Sequence, residues 1–282
     1  MKITQFRTHF INQVAPFFDE DEAASFFYLL LEHHRNLKRV DLVMQPDLFF
    51  SETELEMLEG VISELKCQKP IQYIIGSTSF FGMHFLVNEH TLIPRPETEE
   101  LVEWVLKSQA SEGVESSLLD IGTGSGCIAI SLAKNYANAQ VSAIDVSREA
   151  LATAEKNASI NEVQVQFICQ DILEAESLDK KYDVIVSNPP YIRMLEKQEI
   201  KPNVLEFEPH LALFVANEDP LLFYRKIAQL AQKQLNNNGY LFFEINQYLA
   251  QETIQLLEDL NFKSIELRKD IYGNDRMIRC QV

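Results

Sequence analysis

Two hydrophobic rhythms divide the chain. Through residue 72 apolar positions recur every three to four residues, the period of amphipathic helices. Thr4 to Val14 forms one such segment, ended by Pro16. Asp19 to Glu22 place negative charge at the start of a second, whose stripe is Ala23, Phe26, Phe27, Leu30 and Leu31 and which runs to Arg35. Lys38 to Met44 predicts a short helix before Pro46. Ser51 and Glu54 have capping-box spacing for a helix through Lys66. From Ile74 to Val87 the period falls to two, with Phe80, Phe81, Gly82 and Met83 at the turn of a hairpin.

Beyond the hairpin, Pro94 and Pro96 hold the chain extended, and Glu97 opens a helix with Leu101, Val102, Val105 and Leu106 inward. Strands then alternate with helices. The strands are Leu118–Ile121, Val141–Ile144, Val165–Cys169, Tyr182–Ser187 and, after a turn over Asn236–Gly239, Tyr240–Ile245. The intervening helices are Gly126–Tyr136, a Ser147-capped helix to Ser159, and Pro220–Leu235. A helix over Tyr248–Leu260 and a strand pair, Phe262–Leu267 with Arg276–Cys280, close the pattern. The alternation predicts an α/β fold with a doubly wound, largely parallel sheet. Three parts follow: residues 1–72 as a helical substrate-docking domain, 73–90 as a hairpin linker, and 91–282 as the domain that carries chemistry.

Composition narrows the function. The chain has 282 residues, 46% hydrophobic and 24% charged, which suits a globular protein of two domains. Its formal net charge of −17 argues against nucleic-acid affinity built on phosphate neutralisation. The four cysteines, Cys67, Cys127, Cys169 and Cys280, lack CxxC spacing, and the histidines lack HExxH spacing, so no metal is expected. The absence of a long apolar run predicts neither signal peptide nor membrane span, and a cytoplasmic location.

Two stretches carry chemistry. In LLDIGTGSGCIA a strand delivers Asp120, then Gly122, Thr123, Gly124, Ser125 and Gly126, then a helix. Glycines let backbone turn sharply and approach a ligand. The spacing is G-x-G-x-G, which lacks the Gly-Lys-Ser/Thr end of a P-loop, the G-x-G-x-x-G of a dinucleotide site and the G-x-S-x-G of a nucleophile elbow. What remains is the nucleoside site of S-adenosylmethionine enzymes, whose ligand has no phosphate. Asp145 ends the next strand, where a carboxylate accepts ribose hydroxyls. Asp171 and Ile172 end the third, at the expected adenine position.

The second stretch is NPPY: Asn188, Pro189, Pro190 and Tyr191, leaving the fourth strand at the edge where open α/β sheets bind ligands. Prolines donate nothing to a ladder and fix φ, so carbonyls are left unpaired and rigidly aimed. With the Asn188 side-chain oxygen they suit a planar –NH2 group, and Tyr191 is placed to stack on it. This is catalysis by positioning, without a general base. The same motif fits a flipped adenine or cytosine, so an N6- or N4-methylating nucleic-acid enzyme competes with a protein-amide methylase. A non-catalytic cofactor-binding scaffold is the third reading, disfavoured by the intact NPPY.

Taken together, TLIPRPETEE (Thr91 to Glu100), GTGSG, NPPY and KDIYGNDR (Lys269 to Arg276) resemble the peptide chain release factor glutamine methyltransferases over nearly the whole chain. A sister group acting on a ribosomal-protein glutamine usually differs at IPRPETE. The resemblance implies a class I S-adenosylmethionine-dependent methyltransferase with a Rossmann-like, seven-stranded sheet. It implies methyl transfer to the N5 amide of the Gly-Gly-Gln glutamine of class 1 release factors, with S-adenosylhomocysteine as product, by a monomer. Gly122 to Gly126, Asp145, Asp171, Ile172 and Asn188 would hold the cofactor. Asn188, Pro189, Pro190 and Tyr191 would bind the glutamine, with Arg95 and Glu97 at the pocket mouth. Two departures stand out: Ala216 to Pro220 replaces a glycine-rich stretch, and Asn246 stands where the family commonly has glycine after Glu-Ile.

Overall fold

The computed structural model describes residues 1–108 and 115–282. They build two compact units, residues 1–76 with 202–207 and residues 77–201 with 208–282.

The first unit is helical: α1 (Ile3–Val14), α2 (Glu20–Arg35), α3 (Arg39–Met44), α4 (Glu52–Lys66) and α5 (Ile71–Ile75). The capping box read from sequence forms, and Asp19 adds a second cap. Asp19 accepts from the Glu22 N–H at 2.7 Å, and Ser51 and Glu54 bond each other's backbone N–H groups. Phe6, Phe10, Phe27, Leu30 and Leu65 fill one core, with Phe26 at its margin. The helix α5 corrects the expected start of the hairpin. Pro70 precedes it and Gly76 ends it at φ 80°, so the Ile74–Ile75 pair is helical and strand pairing begins at Ser77. A short isoleucine-rich run has no period to separate the two states.

The second unit opens with the hairpin β1 (Ser77–Phe80) and β2 (Met83–Leu86), followed by α6 (Pro96–Ser108). Then come β3 (Ser116–Ile121), α7 (Cys127–Asn135), β4 (Ala139–Asp145), α8 (Arg148–Ile160), β5 (Gln166–Cys169) and β6 (Tyr182–Ser187). After β6 the chain forms β7 (Ile192–Arg193), a 3-10 turn over Met194–Glu199, α9 (Pro202–Phe207, grouped with the first unit), α10 (His210–Leu213) and β8 (Phe214–Val215). It closes with α11 (Leu222–Gln234), β9 (Leu235–Glu244), a 3-10 turn over Gln247–Leu249, α12 (Ala250–Asp259), β10 (Lys263–Lys269) and β11 (Asp275–Gln281).

Seven strands form one sheet in the order β10-β11-β9-β6-β3-β4-β5. The strands from β9 to β5 run parallel, whereas β11 is antiparallel to both β9 and β10. Successive residues face opposite sides. Leu119, Ile185, Leu241 and Phe243 pack under Tyr224 of α11 and Leu257 of α12. Leu118, Val184, Val186 and Phe242 pack under Trp104 of α6 and Ile130 of α7. Strand order reverses between β3 and β6, which opens a crevice at their carboxyl ends, the place where ligands bind in such sheets.

One further local expectation needs correction. Asn236–Gly239 is no turn ahead of the strand; it lies within β9, where the β6 register shifts between Tyr182 and Val184. Glycine is required there because a Cβ on Gly239 would stand 2.9 Å from the Asn236 oxygen and 3.0 Å from that of Asp183. The elements between Ile192 and Val215 were not anticipated; β7 and β8 have two residues each, too few to show a period.

Candidate active site

A cleft of about 340 Å³ opens at the carboxyl ends of β3, β4 and β6, all of it lined by the second unit. That size lies within the usual range of small-molecule sites, about 300–1,000 Å³.

The glycine loop forms one wall. Gly122, Gly124 and Gly126 have φ of 76°, 54° and 82°, a region closed to most side chains. The N–H groups of Gly122 and Thr123 donate to the Ile144 carbonyl at 2.8 and 3.0 Å, which ties the loop to β4. An added Cβ at Gly122 or Gly124 would meet nothing within 4 Å, so both leave open space beside the loop. Gly126 ends the loop differently: its Cβ would lie 2.8 Å from Ile130 Cδ1 and 3.1 Å from Ala154 Cβ. It is the close packing of α7 on α8 that excludes a side chain here.

Two acidic groups fix this loop from below. Asp145 Oδ2 accepts from the Gly124 N–H at 2.8 Å and its Oδ1 from the Ser147 N–H at 2.9 Å. Burial raises the Asp145 pKa, while these donors oppose the rise. Ser147, not Asp145, is the helix cap, accepting from the Ala150 N–H at 3.1 Å. Asp120 is fully buried; its Oδ2 accepts from the Thr123 hydroxyl at 2.6 Å, and its Oδ1 has no partner among the described residues. Burial pushes its pKa up to about 7, with the nearby Asp145 charge adding to the rise. The sequence had delivered Asp120 to this edge without assigning it work. Asn157, also fully buried, bonds Leu86 of the hairpin through both backbone groups and donates to the Ser125 carbonyl at 2.9 Å.

Gln170, Asp171, Ile172 and Leu173 follow β5 and reach the cleft. Asp171 Oδ1 accepts from the Leu173 N–H at 2.9 Å, and Ile172 is buried.

NPPY faces them. Asn188, Pro189 and Pro190 line the cleft. Among the described residues no backbone N–H donates to their carbonyls, as two prolines at a strand exit dictate. The chain resumes pairing only at Ile192, opposite Phe214. Tyr191 is not on the cleft wall. Its ring packs at the margin of the core and its hydroxyl donates to Glu244 Oε1 at 3.3 Å. Burial and the Glu244 charge both raise its pKa.

Beside NPPY stands a polar network that sequence spacing did not reveal; of its members Thr98 lines the cleft and Glu244 stands behind it. The Thr98 hydroxyl donates to Glu244 Oε2 at 2.7 Å, and Asn188 Nδ2 donates to Thr98 Oγ1 at 3.3 Å. Thr98 and Glu244 are buried at 3% and 2% exposure. Burial raises the Glu244 pKa against the pull of Thr98, Arg276 and Tyr191. Glu97 is not on the cleft wall, although its charge adds to the rise at Glu244. Arg95 does line the cleft, held by an ion pair to the buried Glu208, which also accepts from the Ile93 N–H at 3.2 Å.

Asp145, Asp171, Ile172, Asn188, Pro189, Pro190, Arg95 and the loop from Gly122 to Ser125 therefore converge on one cavity, with Gly126 just behind it. Among the described residues no cluster of His, Cys, Asp or Glu is arranged to hold a metal ion. Cys127 lines the cleft, but burial pushes its thiol up to about 12 and keeps it protonated.

Relatives agree with the geometry. Residues 98–206 match the family described as Methyltransferase small domain, and residues 13–76 match the PrmC N-terminal domain. A methyltransferase from Pyrococcus furiosus shares the fold at TM-score 0.53 and 20% identity, over 72% of this chain and 90% of that one. The release factor glutamine methyltransferase of Streptococcus pneumoniae is 41% identical over 99% of this chain and 98% of its own. That of Flavobacterium psychrophilum is 61% identical over 99% of both chains. On this likeness along its whole length, the chain belongs to the release factor glutamine methyltransferase family.

Proposed function

We propose that the chain transfers a methyl group from S-adenosylmethionine to the N5 amide nitrogen of the glutamine in the Gly-Gly-Gln motif of class 1 peptide chain release factors. The observation that carries the reading is one cavity walled on one side by a glycine loop that leaves open space at Gly122 and Gly124, and on the other by the Asn188, Pro189 and Pro190 carbonyls, which have no backbone donor among the described residues.

The residues fit the cofactor. Gly122 and Gly124 leave a cradle that a Cβ would fill. Arg95 and His90 are the only basic side chains on the described cleft wall, and Arg95 is paired with Glu208, so the site suits a nucleoside without phosphates. Asp145 and Asp171 suit hydroxyl and amino donors and a cationic sulfonium; Val146, Ile172 and Leu173 offer an apolar wall for a base. When bound, S-adenosylmethionine supplies an electrophilic methyl group.

The chain itself supplies position. An amide nitrogen is a poor nucleophile because its lone pair is delocalised. The Asn188 side-chain oxygen and the carbonyls of Asn188, Pro189 and Pro190 accept its two N–H groups, hold its plane and meet the positive charge that develops on attack. Arg95 stands at the mouth, and Glu97 and Tyr191 support the site from behind it. The helical unit, over residues 1–72, is assigned to substrate docking, residues 73–90 to linkage and 91–282 to catalysis. We place the protein in the cytoplasm, a reading supported by its four free cysteines, and take it to be a monomer; among the described residues no helix is long and apolar enough to cross a membrane.

The test is to incubate the chain with labelled S-adenosylmethionine and a class 1 release factor. A mass increase of one methyl group on the Gly-Gly-Gln peptide is expected. Label on nucleic acid and none on protein would overturn the reading.

A further inference from the structure

We propose that Thr98 and Glu244 are positioning residues that decide which way the Asn188 amide faces. This rests on the reading of Asn188 as the group that accepts from the substrate amide.

A hydroxyl has one proton and two lone pairs. Each Glu244 oxygen takes a hydroxyl donor, Oε2 from Thr98 at 2.7 Å and Oε1 from Tyr191 at 3.3 Å, so the Thr98 proton is committed to Glu244. Thr98 Oγ1 is then left as an acceptor, and it takes the Asn188 Nδ2–H at 3.3 Å. With Nδ2 engaged inward, Asn188 Oδ1 has no donor among the described residues and is free to accept from a substrate –NH2. The opposite arrangement, with Thr98 donating to Asn188 Oδ1, would set one –NH2 group against another. Glu244 thus acts on the substrate through two intervening groups, without touching it.

The carboxylate is itself held. Its other oxygen, Oε1, accepts from the Tyr191 hydroxyl at 3.3 Å, and its backbone is paired with Met277 of β11. Arg276 and Glu97 supply the charges that act on it, of opposite sign, and Tyr224 donates to its backbone carbonyl at 3.3 Å. Three elements therefore meet on one amide: α6 brings Thr98, β9 brings Glu244 and the exit of β6 brings Asn188. The arrangement gives a physical reason for a threonine within IPRPETE, where a helix first turn would accept many residues.

The experiment compares the full-length chain with Thr98→Val and Thr98→Ser in methyl transfer to a release factor, alongside S-adenosylmethionine binding by calorimetry. Valine keeps the shape and removes the relay; kcat should fall about 10- to 100-fold with the cofactor Kd within about twofold. Serine keeps the hydroxyl and should stay within about threefold of the unmodified chain in kcat. If Thr98→Val does not fold, Thr98→Cys, with weaker donor and acceptor capacity, takes its place and should lose at least about threefold. Full kcat in the valine or cysteine variant overturns the inference, as does an equal loss in the serine variant or a collapse of cofactor binding. No transfer by the unmodified chain overturns the functional reading, and this inference with it.

Discussion

Asn246 Nδ2 donates to the Tyr191 carbonyl at 3.0 Å, joining the end of β9 to the last residue of NPPY. The same amide donates to Glu196 Oε2 at 3.0 Å, and its Oδ1 accepts from the Tyr248 N–H at 3.0 Å. Glu196 in turn holds the Arg193 guanidinium and backbone N–H. One buried side chain thus ties together the NPPY exit, the turn after β7 and the 3-10 turn before α12. A glycine, which the resemblance leads one to expect at this position, would make none of these side-chain contacts.

Replacing Asn246 by Gly removes three partners at once and leaves a buried carboxylate with fewer donors. We expect a loss of about 2–3 kcal/mol in urea unfolding, more than a surface change gives. Cofactor affinity should be nearly unchanged, since Asn246 is not on the cleft wall. Stability within about 0.5 kcal/mol of the unmodified chain would show that the network contributes nothing net.

Asp145 makes a second case, because its carboxylate closes the loop as well as facing the cleft. Asp145→Ala frees the Gly124 and Ser147 N–H groups together. Cofactor binding should weaken by about 1.5–3 kcal/mol, read as a rise in Kd by calorimetry. Asp145→Asn keeps one strong acceptor and should lose less. Equal losses in both variants would assign the effect to charge rather than to loop closure.

What the sequence made legible follows from locality. GTGSG and NPPY are contiguous, and their residue types constrain backbone directly: positive φ in one, missing donors in the other. Strand alternation is a repeated signal, so a doubly wound, largely parallel sheet is legible from it; the seven-stranded class I form is what the resemblance implies. Thr98, Asn157, Glu208, Glu244 and Asn246 were not assigned roles because each works through a partner 32 to 146 positions away. Thr98 lies inside IPRPETE and Glu244 near the end of a strand, yet nothing local says that the two meet. Tyr191 combines both: its place beside the prolines is local, whereas the bond of its hydroxyl to Glu244, 53 positions away, is not.

The glycines separate stability from binding. Gly126→Ala forces a Cβ against Ile130 and Ala154 at φ 82°, so a stability loss of about 2–3 kcal/mol is expected from strain and overpacking. Gly124→Ala meets open space and should cost only the conformational term, about 1–2 kcal/mol, while its methyl intrudes on the cradle. The ratio of Kd change to stability change should therefore be larger at Gly124. Thermal unfolding and calorimetry on the two variants decide it; a larger ratio at Gly126 would place the cofactor elsewhere.

Asp120 gives a pH signature with a definite sign. Its native pKa of about 7 lies above the usual aspartate value of 3.8, chiefly because it is fully buried. Between those values the native state holds a proton that the unfolded chain has released. Stability from this group therefore falls as pH rises, by up to about 1.4 kcal/mol per pH unit, and levels off once both states are ionised. Asp120→Asn keeps an acceptor for Thr123 and cannot ionise, so it removes this slope. Subtracting its urea-unfolding free energies from those of the unmodified chain between pH 4.5 and 8 cancels the other titrating groups. The difference should move in the variant's favour as pH rises to about 7 and flatten above it. A flat difference across the range would mean that Asp120 ionises in the native state as readily as in the unfolded chain, and that the Thr123 and Ala129 donors fully offset its burial.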